Sequence, residues 1–61
     1  MTREEFLELI PGDKIMYRNT SHFGGKVYII KEPYTKMAGS ITCLHDGKEY
    51  YFGGFEHIRK V

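Results

Sequence analysis

The chain has 61 residues, a formal net charge of +1 and one cysteine, with five Tyr and four Phe but no Trp. A chain of this length holds a single domain that buries only about 60% of the surface its unfolded form exposes, so aromatic rings, each burying roughly 150–250 Å², must supply much of the core. On its own the near-neutral charge predicts no strong attraction to nucleic acid or to anionic lipid. The lone Cys43 excludes an internal disulfide, and no apolar run approaches the length of a membrane-spanning helix.

Thr2-Arg3-Glu4-Glu5 opens the chain as a capping box: a hydroxyl accepts from a first-turn amide, and a carboxylate three residues on reaches back to the cap. Phe6, Leu9 and Ile10 then fall on one helical face. The predicted helix, within residues 1–10, is too short to persist alone and must dock on the rest of the domain. Pro11-Gly12 stops it. A first strand follows over residues 14–18, with Ile15 and Tyr17 alternating with Met16 and Arg18.

Residues 19–25 are polar and glycine-rich and read as a long loop, after which residues 26–32 form the clearest strand of the chain. Pro33 to Gly39 is a second loop, since Pro33 removes a ladder donor. Asp46-Gly47 between two β-favouring runs is the strongest short-range hairpin signal, because a type I′ turn needs positive φ at both central residues. Gly53-Gly54 breaks the fourth strand, Phe55-Glu56-His57 makes one 3₁₀ turn, and residues 58–61 supply a short fifth strand. The predicted core comprises Ile15, Val27, Ile29 or Ile30, Ile41, Cys43, Phe52 and Ile58, covered by Phe6, Leu9 and Ile10.

This order of elements resembles an SH3-like barrel. Pro11-Gly12-Asp13-Lys14-Ile15 leads into the first strand, Gly25-Lys26-Val27-Tyr28 opens the second, and Asp46-Gly47-Lys48-Glu49-Tyr50 crosses the distal turn. In these motifs the chain is similar to the small barrels of the KOW and translation-protein type, and to stand-alone small barrels of bacterial and phage genomes. The resemblance covers residues 11–61 and rests on turn chemistry. It implies an all-β fold, a five-stranded SH3-like barrel over residues 11–61 with a short N-terminal α-helix over residues 1–10, as one domain. It also implies an accessory or phage-type protein that acts by occupying a partner's surface.

Catalytic and metal chemistry find little support in the residues. His22, His45 and His57 lie in separate segments with no ligand pair at metal spacing. Neither Gly24-Gly25 nor Gly53-Gly54 opens a helix after a strand, as a phosphate loop requires. Glu4, Glu5 and Glu8 sit in the first turns of a helix, where they complement its dipole. Cys43 reads as a small buried hydrophobe in a reducing compartment. The expectation is a non-enzymatic, cytoplasmic interaction module with no cofactor and no metal.

For such a module the recognition surface lies between the first long loop, the distal hairpin and the 3₁₀ turn, which makes Tyr17, Phe23, Tyr51 and Phe55 the candidate residues for binding a protein partner. Aromatic residues are enriched at the centres of interfaces. The absence of Trp and of an acidic first loop removes most of the case for polyproline ligands. The alternative is a face for single-stranded nucleic acid, where Arg18, Lys26, Lys31 and Lys36 would draw the backbone and Tyr28 and Tyr34 would stack on bases.

Overall fold

The structure is a computed structural model and describes residues 1–17 and 26–61. Helix α1 spans Arg3–Leu7, and the strands are β1 (Lys14–Tyr17), β2 (Val27–Glu32), β3 (Ile41–His45), β4 (Lys48–Phe52) and β5 (Ile58–Lys60). They form one antiparallel sheet in the order β4-β3-β2-β1-β5. Sequence neighbours pair side by side, and β5 returns to the free edge of β1.

Local chemistry accounts for each join. Thr2 caps α1 through the capping box read from the sequence. Past the helix, Asp13 ties the chain to the sheet: its carboxylate accepts from Ile10 N–H at 3.0 Å, and its carbonyl accepts from Ile30 N–H at 2.8 Å. Asp46 (φ 53°) and Gly47 (φ 77°) are the two central residues of the β3–β4 turn, with His45 opposite Lys48. Both angles are positive, as a type I′ hairpin demands. A lone turn over Phe55 to Ile58, closed by Ile58 N–H donating to Phe55 O at 3.2 Å, leads into β5.

Side chains alternate across the sheet, so one face carries Ile15, Tyr28, Ile30, Ile41, Cys43, Phe52 and Ile58, and the N-terminal segment covers them with Phe6 of α1 and Leu9 just past its end. Two expectations fail here. Val27, expected in the core, is 39% exposed, while Tyr28 is buried and Ile30 is the buried member of the Ile29 or Ile30 alternative: in the run Val27-Tyr28-Ile29-Ile30 either alternate pair satisfies a period of two, and the pair with the larger ring points inward. Ile10 is 61% exposed, because α1 ends at Leu7 and the chain turns at Glu8 and Leu9 before the helical spacing can carry Ile10 to the covered face.

The sheet is strongly curled. Tyr17 of β1 and Phe52 of β4 meet with ring centroids 4.9 Å apart, although β2 and β3 lie between their strands, a span of about 14 Å in a flat sheet. Among the described residues no ladder joins β4 to β5, so the sheet is open and the predicted closed barrel is not formed by backbone pairing. A register shift between Ile30 and Glu32 marks the irregularity in the β2–β3 ladder, the kind of feature that bends a strand and increases its twist. No helix among the described residues is long and apolar enough to cross a membrane.

Candidate functional site

The curl gathers side chains at the end of the sheet where β1 and β4 finish. A cleft of about 270 Å³ opens there, lined by Tyr17, Tyr51, Phe52, Gly53 and Gly54. Tyr17 and Tyr51, two of the four candidates for partner binding, are thus brought into one site. Phe55 lies in a neighbouring hollow of about 100 Å³ with Arg3, Phe6, Leu7, Tyr34 and Gly53. Gly53 borders both, so the two form adjoining depressions across a glycine saddle. Phe23 and Arg18 lie outside the described residues.

Each ring of the cleft is held from behind. Phe52 is buried and packs edge-on against Tyr28, ring centroids 5.3 Å apart; Tyr17 leans on Phe52 and lies 6.0 Å from the His57 ring. Tyr51 is 64% exposed, yet its hydroxyl donates to Glu49 Oε1 at 3.2 Å, and the other Glu49 oxygen accepts from Lys31 Nζ. The Lys31 hydrogen bond, then that of Tyr51, holds the Glu49 carboxyl below its ordinary value, and Glu49 in turn raises both the Tyr51 phenol and the Lys31 ammonium. This Lys31–Glu49–Tyr51 chain crosses from β2 to β4 on the solvent face. An exposed ring anchored in this way loses less freedom when a ligand covers it.

Gly53 and Gly54 present bare backbone to the cleft. A Cβ at Gly54 would stand 2.8 Å from Glu56 Oε2, so the absence of a side chain at that position leaves the room that the Glu56 carboxylate uses.

The residues expected to form a nucleic-acid face are dispersed in role. Tyr28 is fully buried within the core, so its ring presents no face on which a base can stack. Tyr34 is half-buried against Phe6, centroids 5.5 Å apart. Lys31 is engaged by Glu49, whereas Lys26 and Lys36 are exposed. Of the other reactive side chains, Cys43 is fully enclosed, and burial pushes its thiol up to about 12. His45 Nδ1 lies 2.9 Å from Val27 O, and its ring packs on Tyr28. Among the described residues no three His, Cys, Asp or Glu side chains come together as metal ligands.

The fold brings the candidate residues Tyr17 and Tyr51 to one cleft, and it adds the glycine saddle, which in the sequence reads only as a strand break. The signal was present as Gly53-Gly54 immediately before Phe55-Glu56, but only the fold places that turn beside Tyr17. Compared with family models, curated proteins and solved structures, the chain matches none.

Proposed function

We propose that this protein is a non-enzymatic interaction module of SH3-like type that binds a protein partner through the Tyr17–Tyr51 cleft, in the manner of an accessory protein working in a reducing compartment. The strand order β4-β3-β2-β1-β5, the curl, the tight β3–β4 hairpin and the single turn before β5 support the SH3-like reading. The observation that carries the functional one is Tyr51: a large ring, 64% exposed, fixed by Glu49 and lining a cleft with Gly53 and Gly54. Fixed aromatic rings beside accessible backbone are the anchors that protein interfaces favour. A polyanion is the weaker fit, because Lys31 is matched by Glu49 and Tyr28 is withdrawn into the core.

The test is capture from the native host lysate by wild type and by Tyr51→Ala, with and without nuclease, with circular dichroism of both proteins. Capture that survives nuclease and is lost in the folded Tyr51→Ala variant supports the reading. Capture abolished by nuclease, or unchanged in the variant, refutes it.

A further inference from the structure

Independently of the cleft, we propose that the outer edge of β4 pairs with β4 of a second copy of this chain, antiparallel and in one register, so that two curled sheets join into a continuous one.

Ladder parity decides which backbone groups of β4 point outward. In a hairpin closed by a two-residue turn, the residues flanking the turn bond to each other, and bonded pairs recur at every second residue. His45 and Lys48 flank Asp46-Gly47, so Lys48, Tyr50 and Phe52 bond to β3. Glu49 and Tyr51 turn their N–H and C=O groups away from the sheet. Among the described residues no backbone group pairs with them.

The two edges of the sheet differ. β5 has three residues, and at Ile58 the outward groups are already used: its N–H donates to Phe55 O, and its C=O accepts from the Met1 amino group at 2.6 Å. β4 has five residues paired to β3 without a register shift, and it contains no proline. Its lysine, Lys48, stands at the turn end, away from the outward groups. A regular edge without such guards is a template for another strand.

The sequence of β4 makes a second copy the fitting strand. Laid antiparallel on itself about Tyr50, β4 sets Glu49 opposite Tyr51 of the second copy and Tyr51 opposite its Glu49, and every outward N–H meets an outward C=O. Tyr50 then faces Tyr50, Lys48 faces Phe52, and the whole of β4 is covered. Centring on Glu49 instead would place two carboxylates directly opposite each other, which is destabilising. Centring on Tyr51 would set Glu49 against Gly53, beyond the end of the strand. The register about Tyr50 opposes no like charges, and it lays a neighbouring strand beside the Tyr51 ring, 64% exposed in the single chain.

The experiment is sedimentation equilibrium of the full chain from micromolar to millimolar concentration, with amide hydrogen exchange at both ends of that range. The proposal expects the mass to rise from 7.1 kDa towards twice that value. It expects the Glu49 and Tyr51 amides to exchange freely when dilute and roughly tenfold or more slowly when concentrated, while the Tyr50 amide, bonded to β3, is unaffected. Glu49→Pro, which removes an outward donor and no bond to β3, should keep a native circular dichroism spectrum and stay monomeric. Glu49→Gln, which keeps that donor, should still dimerise. Where the proline variant does not fold, Tyr51→Glu takes its place: it sets carboxylates opposite Glu49 of the second copy and should weaken association roughly tenfold. A wild-type chain monomeric at millimolar concentration would overturn the proposal, as would a dimer whose Glu49 and Tyr51 amides exchange at the dilute rate. A folded Glu49→Pro variant that dimerises, or a Glu49→Gln variant that does not, would overturn it too. The cleft is judged separately, since capture of a partner that is lost in Tyr51→Ala would stand for a monomer as well.

Discussion

Thr2 and Glu5 exchange hydrogen bonds: Thr2 N–H donates to Glu5 Oε1 at 2.8 Å, and Glu5 N–H donates to Thr2 Oγ1 at 3.2 Å. Between them they satisfy backbone donors that a five-residue helix would otherwise leave to water. Thr2→Ala should lower stability by about 1 kcal/mol, read as a lower urea midpoint with an unchanged slope. The Thr2 backbone bond, with the Thr2 hydroxyl behind it, holds the Glu5 carboxyl below its ordinary value of 4.5. The folded state therefore gains from this group at pH above 4.5, and the gain disappears as pH falls through the lower folded value. The stability difference between wild type and Glu5→Gln should accordingly shrink on acidification across that window; a difference that grows would contradict the assignment.

Core coverage by the N-terminal segment separates two neighbouring apolar residues. Phe6 is 3% exposed and touches Tyr34 and Phe55, whereas Ile10 is 61% exposed. Phe6→Ala should cost about 3–5 kcal/mol, a large share of what so small a domain has, while Ile10→Ala should leave the melting temperature nearly unchanged. Deleting residues 1–10 should lower it clearly. Equal effects of the two alanines would mean that the segment does not dock as described.

The hairpin turn makes a similarly sharp prediction. Gly47 has φ 77°, and a Cβ built there meets nothing within 4 Å, so the cost of any substitution is conformational and not steric crowding. Gly47→Val should destabilise by roughly 1 kcal/mol or more, and Gly47→Asn by distinctly less, because Asn tolerates the left-handed region. Chemical denaturation of the two variants measures the order, and a reversed order would exclude this turn.

Cys43 should be chemically silent. Its thiol is enclosed and, by burial, pushed up to about 12, so almost no thiolate exists at pH 8 to attack an alkylating reagent. Iodoacetamide should fail to modify the native protein over a period in which the urea-unfolded chain reacts fully. Fast labelling of the native state would mean that β3 opens readily.

Wherever a feature depends on neighbours in sequence, the residues announce it. The capping box at Thr2–Glu5 and the turn at Asp46-Gly47 follow from hydrogen-bond reach and from φ alone, and both are found where the pattern places them. What depends on the third dimension is harder to read. Val27-Tyr28-Ile29-Ile30 is apolar on both faces, so alternation cannot say which face is inward, and only packing against Phe52 and Tyr50 selects Tyr28. Tyr17 and Tyr51 could be named as candidates because the order of elements resembles an SH3-like barrel, whose recognition groove would draw on them. The approach of Glu56 to Gly54 was not legible, because it depends on how the turn before β5 folds back beside β4.

The β1–β5 ladder has a kinetic meaning. Met16 pairs with Arg59 across 43 residues of chain, whereas the β3–β4 hairpin closes over two. Loop closure makes distant pairings slow to form, so β5 is the last strand to be secured, and until then the outer edge of β1 stands open with its donors and acceptors bare. During that interval the half-assembled sheet is the species most exposed to pairing with a foreign strand. The short, basic β5 with Arg59 and Lys60 seals the edge in the end. The outer edge of β1 is therefore protected only as well as β5 is held against it.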